Sequence, residues 1–419
     1  MSDASSQIPL LRRLFDRAVA VADPMRSLAD HLPAQPPGRV VVIGAGKASA
    51  RMAEAVEAAW GPCEGLVITR YGYARPCAGI EIVEAGHPVP DMAGVAATRR
   101  MLDLVAGLGE GDFVLALISG GGSALLCAPA EGLTLADKQA VARDMLASGA
   151  PISEVNGLRK QLSAVKGGRL AAAAHPARML ALMISDVPGD APGDIASGPT
   201  VGDAGDAPRA ARALAARGVT PPEAVRRHLA KGGAPVAPGD PRLARVENVV
   251  YAAPSHALAA AAALARAEGL KVRILGDAIE GEARTVAAEH AALARDLQRT
   301  RSGATPLVIL SGGELTVTRR GAGCGGPNAE YCLALALALE GTAGIHALAC
   351  DTDGVDGAAE VAGAHISPDT LDRARAAGLD PAGALARNDA HGFFAALGDQ
   401  VVTGPTLTNV NDFRALLIR

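Results

Sequence analysis

Five segments of the chain carry residue types whose spacing could hold an anion or a metal ion. In the first, Val41-Val42-Ile43-Gly44-Ala45-Gly46-Lys47-Ala48-Ser49, an apolar run enters a glycine-rich turn and then a helical pattern. Such a turn leaves backbone N–H groups facing outward, and the helix dipole adds to their attraction for negative charge. Lys47 inside the turn supplies a full positive charge that suits a phosphate; an exposed lysine at a helix start is the competing reading. The second, Ser119-Gly120-Gly121-Gly122-Ser123, follows the apolar run Phe113–Ile118. Three successive glycines let a backbone approach a ligand closely and can form an amide nest for phosphate oxygens, although tight strand-to-helix turns use the same residues.

The third segment, Asn156–Arg169, places Arg159, Lys160, Lys166 and Arg169 within eleven residues of a nearly neutral chain. It fits either a clamp for carboxylate or phosphate or a solvated basic helix face. The fourth, Ser185-Asp186-Val187-Pro188-Gly189-Asp190, continues to Asp194 and Ser197-Gly198-Pro199-Thr200. It ends the apolar run Met179–Ile184, and open α/β sheets bind ligands at the C-terminal ends of strands. Asp186 and Asp190 are candidate Mg2+ ligands, because this hard cation takes one or two carboxylates alongside phosphate oxygens. Aspartates also favour turns in their own right.

The fifth group lies in the second half: Ser311-Gly312-Gly313-Glu314, then Asn328 and Glu330 within Gly321–Glu330, then Asp351-Thr352-Asp353-Gly354-Val355-Asp356-Gly357, and the polar stretch Thr403–Asp412. The DxDGxDG run lacks the glutamate that a calcium loop places at its twelfth position. His87, in Gly86-His87-Pro88-Val89-Pro90-Asp91, is a further candidate for acid or base work. Walker, GxSxG, HExxH and protein-kinase signatures are absent. The first glycine turn departs from the dinucleotide fingerprint. Ser49 stands at the third glycine, and the following strand pattern ends at Arg70 instead of an acid for an NAD ribose.

The elements that must position these residues alternate. An amphipathic helix pattern over about 8–22 precedes strand patterns at Val40–Ile43, Leu66–Thr69, Ile80–Val83, Phe113–Ile118, Met179–Ile184, Asn248–Tyr251, Val272–Leu275, Pro306–Leu310 and Ile345–Ala349. Helical stretches separate most of them, which predicts an α/β fold with largely parallel, doubly covered sheets. A Gly/Pro-rich stretch at 231–245 predicts two domains, 1–235 and 240–419.

Composition narrows the classes. Apolar residues make up 49%, with only four Tyr, five Phe and one Trp, so the core is aliphatic and stacking platforms for bases are few. A net charge of −4 gives no basic footprint for nucleic acid. Six cysteines without CxxC spacing and the lack of a long apolar span lead to the expectation of a reduced, cytoplasmic setting without membrane partners.

Taken in order, GAGKA, GHPVPD, SGGGSALL, NGLRKQLSAVKGGRLA, SDVPGD…IASGPT, SGGELTVT, GGPNAEY, DTDGVDG and TGPTLTNVND resemble the class II glycerate kinases from the first helix to the C-terminus. The resemblance implies an N-terminal Rossmann-like α/β/α domain and a smaller C-terminal α/β MOFRL-type domain, with the active site in the cleft between them. It implies phosphorylation of D-glycerate by ATP with Mg2+, giving 2-phosphoglycerate; a monomer or homodimer is expected. By position Lys47 and Asp186 match the catalytic lysine and aspartate, and Arg159 or Lys166 would grip the glycerate carboxylate. Gly44, Gly46, Ser119, Gly120, Gly121, Gly122, Ser123, Gly312, Gly313, Glu314 and Asn328 would line the nucleotide site, and Asp186 with Asp190 would hold the metal. One departure stands out: Pro327 occupies the place of an arginine usual in the family, leaving Arg319 and Arg320 as the nearest cations in sequence. Some relatives are labelled hydroxypyruvate reductases, so an NAD(P)H-dependent reductase is the alternative reading.

Overall fold

The computed structural model describes residues 7–301 and 303–419. Its contacts form two compact units, one of Pro24–Tyr251 and one that joins the helix Gln7–Ala22 to Ala252–Arg419. The division therefore differs from a simple cut between 235 and 240. The first helix buries Leu11, Leu14, Phe15 and Ala18 in the second unit, where the Phe15 ring lies 5.9 Å from Phe413. Its last turn is tied there as well, since Thr408 Oγ1 donates to Ala22 O at 2.8 Å.

The Pro24–Tyr251 unit is built on a sheet of β1 (Val40–Ala45), β2 (Glu64–Arg70), β3 (Ile80–Ala85), β4 (Phe113–Ile118), β5 (Arg178–Ile184) and β6 (Val246–Ala252), in the order β3-β2-β1-β4-β5-β6. The pairs β2–β3, β1–β2, β1–β4 and β4–β5 are all parallel. Helices Ser49–Trp60 and Met92–Val105 supply crossovers that cover the sheet, which is why all six residues of β4 are apolar and buried. Val41, Ile43, Val114, Ala116, Met179 and Ala181 meet Ala97, Met101 and Val105 in one core. This is the Rossmann-like order, and it reverses between β1 and β4, where α/β sheets of this type open a crevice at their C-terminal edge. The segments after β1, β4 and β5 lie side by side at that edge.

The second unit contains β7 (Lys271–Gly276), β8 (Gly281–Glu282), β9 (Leu307–Gly313), β10 (Leu315–Thr316), β11 (Ile345–Asp351), β12 (Gly363–Ile366), β13 (Gln400–Val401) and β14 (Asp412–Ile418). Its main sheet runs β13-β12-β11-β14-β9-β7. The expectation of parallel sheets fails here. Only β7–β9 is parallel in this sheet, while β9–β14, β14–β11, β11–β12 and β12–β13 are antiparallel. The cause is the C-terminal strand. β9, the helix Pro327–Leu339 and β11 form a crossover unit, but β14 inserts between its two strands, antiparallel to both. Among the described residues no helix is long and apolar enough to cross a membrane.

Candidate active site

The turn after β1 is closed mainly by bonds to the ends of β2 and β4. Gly46 N donates to Ile68 O at 3.1 Å, Lys47 N to Gly120 O at 2.8 Å and Ser49 N to Gly46 O at 3.2 Å. Ala48 N donates to Ser119 Oγ at 3.0 Å. The amides expected to face an anion are therefore consumed inside the protein, and what this turn offers a ligand is the half-buried Lys47 side chain. Gly44 and Gly46 serve close packing. A Cβ on Gly44 would sit 2.4 Å from Leu117 O, and one on Gly46 would sit 2.0 Å from Ser119 Oγ. Ser49, at the third-glycine position, is fully buried and donates to Leu117 O at 2.9 Å.

The turn after β4 is the more open cradle. Ser119 N donates to Ala45 O and Gly122 N to Ser119 O, both at 3.2 Å, whereas among the described residues none of the bonds that hold this turn uses the amides of Gly120 or Gly121. Gly121 has φ +78° and starts the short helix Gly122–Leu125. A Cβ placed on it would come within 3.0 Å of the His87 ring and 3.1 Å of Lys47 Cγ. Lys47, His87 and Gly121 thus converge on one point at the switch-point edge.

The loop after β5 reaches the same edge. A Cβ on Gly122 would meet Ala196 Cβ at 2.7 Å, and Ser123 Oγ lies 2.8 Å from Ser197 Oγ. Ala196, Ser197 and Gly198 are consecutively left-handed, with φ of 52°, 62° and 61°. For the two non-glycine residues that conformation costs on the order of 1–3 kcal/mol each, so the surrounding contacts must hold it. One such contact is Lys166 Nζ, which donates to Ala196 O at 3.1 Å. Another is Ser197 Oγ, 3.4 Å from Asn156 Oδ1, which in turn accepts from Arg159 at 3.1 Å. Asp186 is half-buried, and Asp190 has φ 53° with its Oδ1 buried and unpartnered among the described residues.

The basic run is neither a solvated face nor a single clamp. Lys160 pairs with Asp203 at 2.6 Å, and Arg169 donates to the carbonyls of Lys160, Lys166 and Ala234, so these two cations hold the fold together. Arg159 and Lys166 instead line a cavity of about 250 Å³ with Ser123, Lys138 and Arg143. Burial pulls the Lys166 ammonium well below the usual lysine range, with the charges of Lys138 and Arg159 adding to it. Sequence reasoning missed Lys138: a lysine on the apolar side of a helix carries no local motif.

In the second unit, Gly312, Gly313, Glu314 and Asn328 take separate places. Gly312 O accepts from Arg414 at 2.6 Å, and a Cβ on Gly313 would strike Ile279 N at 2.2 Å, so both glycines answer to packing. Glu314 is exposed. Asn328 is buried and donates to Asp412 Oδ1 at 2.7 Å. Asp412 pairs with Arg414 at 3.0 Å, and burial lifts its carboxyl to about 6. Asp356 of the DxDGxDG run caps the helix Pro327–Leu339 by accepting from Asn328 N and Ala329 N. Asp351 and Asp353 accept from Asp353 N and Val355 N and close turns. Pro327 is the first residue of that helix, where its missing N–H costs nothing.

Residues 10–230 match the family described as a domain of unknown function, DUF4147, and residues 307–412 match the MOFRL family. A protein of Agrobacterium vitis named putative hydroxypyruvate reductase is 52% identical over 98% of this chain and 94% of its own length. The D-glycerate 2-kinase of Thermotoga maritima is 36% identical over 98% of both chains. The crystal structure of glycerate kinase from Thermotoga maritima superposes with a TM-score of 0.89 at 35% identity, covering 99% of this chain and 100% of that one. With both of its domain patterns matched and these full-length likenesses, the chain belongs to the glycerate 2-kinase family.

Proposed function

We propose that this protein transfers the γ-phosphoryl group of ATP to the 2-hydroxyl of D-glycerate, giving 2-phosphoglycerate. The observation that carries the reading is the junction at the switch-point edge. There the Lys47 side chain and the open Gly120–Gly121 backbone adjoin a cavity lined by Arg159, Lys166 and Ser123. Phosphoryl transfer asks for positioning and charge neutralisation more than for covalent chemistry, and this arrangement offers both. Lys47 and the amides of Gly120 and Gly121 would neutralise phosphate oxygens, with Gly122 and Ser123 completing the cradle. Arg159 and Lys166 would orient the acceptor through its carboxylate.

The buried, unpartnered Asp190 Oδ1 on an irregular loop fits a hard cation. Asp186 and Asp190 are the residues that would hold Mg2+, which supplies neutralisation of phosphate charge. The reductase reading lacks comparable support. A dinucleotide pyrophosphate needs the amides at the start of the helix Ser49–Trp60, and those are spent on Ile68, Gly120 and Ser119. At the end of β2, Arg70 stacks on Tyr73 at 4.5 Å.

The test is initial-rate ADP formation with D-glycerate and with L-glycerate, each with and without Mg2+. The reading predicts turnover with the D-isomer and Mg2+, and little otherwise. NADPH oxidation by hydroxypyruvate that outpaces ADP formation would contradict it.

A further inference from the structure

Helix Leu135–Ala147 turns Lys138, Val141 and Met145 toward the interior. On a face with this spacing the first position would ordinarily be apolar. Lys138 is instead 8% exposed, and its Nζ is buried with no hydrogen-bond partner among the described residues. A buried ammonium without a partner is costly and is not retained for packing. It lines the cavity of about 250 Å³ together with Arg159, Lys166, Arg143, Ser123 and Gln139. Among the described residues no carboxylate lines that cavity, so its cations meet no negative charge on its wall. The opposite wall, Pro88, Val89, Pro90 and Leu146, is apolar.

We propose that Lys138 is an anchor for the carboxylate of the acceptor acid, acting with Arg159 and Lys166, and that the ligand itself supplies its missing partner. The proposal rests on the acceptor reading given above and assigns a binding residue to it. The groups facing Lys138 are Cys127, Arg159, Arg169 and Lys166. Burial lowers its ammonium to about 8, with the two arginines pushing the same way and Cys127 opposing them. A bound carboxylate reverses the balance, since an opposite charge nearby favours the protonated form.

The test uses the full chain, its Lys138→Met and Lys138→Arg variants, and D-glycerate as probe, read by thermal unfolding and by kinetics. Removing an uncompensated buried charge should raise the Tm of ligand-free Lys138→Met at pH 7, whereas a lysine kept for structure would lower it. D-glycerate should raise the Tm of the wild-type protein, because a ligand that binds only the folded state stabilises it. That rise should be lost in Lys138→Met and partly recovered in Lys138→Arg. KM for D-glycerate should increase about 10- to 100-fold in Lys138→Met, with kcat within about threefold, as expected when binding alone is lost. Equal ligand-induced rises in wild type and Lys138→Met, or no rise in the wild type, would overturn the proposal. Failure of the kinase reading is separate and shows as absent ADP formation with the Lys138-dependent rise intact.

Discussion

Lys47 spends its backbone N–H on Gly120 O, so any role toward a phosphate belongs to its ammonium group. Lys47→Met keeps the length of the side chain and the closed turn while deleting the charge. Its kcat should fall by about 10²–10³, the loss typical of one preorganised donor. A kcat within threefold of wild type would return Lys47 to an ordinary helix-start lysine. Lys138 gives a pH dependence. The group is cationic below about 8 and neutral above it, so KM for D-glycerate should rise as pH passes through that value while kcat changes less. A flat KM profile from pH 7 to 9 would contradict the role. At this scale the sequence announced the lysine inside a glycine turn and the aspartates at a strand end. It could not announce Lys138, whose meaning lies in burial and in the absence of a partner, both products of the tertiary fold.

The turn after β4 shows what an element adds to its residues. Gly121 needs its left-handed φ of +78° and leaves room for His87 and Lys47 within 3.0–3.1 Å of where a Cβ would stand. Gly121→Ala costs about 1–2 kcal/mol for the backbone conformation alone. It should also push Lys47 and His87 apart, lowering kcat at least about tenfold in a protein that still folds, because small misplacements are expensive in positioning. Circular dichroism with kinetics checks both halves of that statement. The helix that Pro327 begins poses a different question. Arg319 already donates to Gly321 O and Gly323 O at 3.3 and 3.5 Å. If the family's arginine is replaced from nearby, Arg320 is the residue to do it, and Arg320→Ala should raise KM or lower kcat measurably. Kinetics unchanged in Arg320→Ala and Arg319→Ala alike would mean that the reaction proceeds without a cation there. The glycine turns were legible as turns. Which of them keeps open amides was not, because the Ser119 hydroxyl that seals the first comes from a segment 71 residues away.

Across the whole molecule, the first sheet was readable because parallel strands buried on both faces appear as unbroken apolar runs, and β4 matches its run residue for residue. The second sheet was not. β14 carries Arg414 in the middle of its buried run and follows directly on the polar Thr403–Asp412 stretch, so it gives no clean strand signal. Arg414 is satisfied inside the sheet by Asp412 at 3.0 Å and by Gly312 O at 2.6 Å, which a buried charge between β11 and β9 requires. The grouping of the first helix with Ala252–Arg419 was equally hidden, since amphipathicity tells that a helix packs but not against what. All of these roles serve one reaction, and its product separates a kinase from a reductase. NMR of the mixture after incubation with D-glycerate and Mg·ATP should show 2-phosphoglycerate accumulating in step with ADP. A mixture without phosphorylated glycerate, in which hydroxypyruvate is reduced at the expense of NAD(P)H, would contradict the kinase reading.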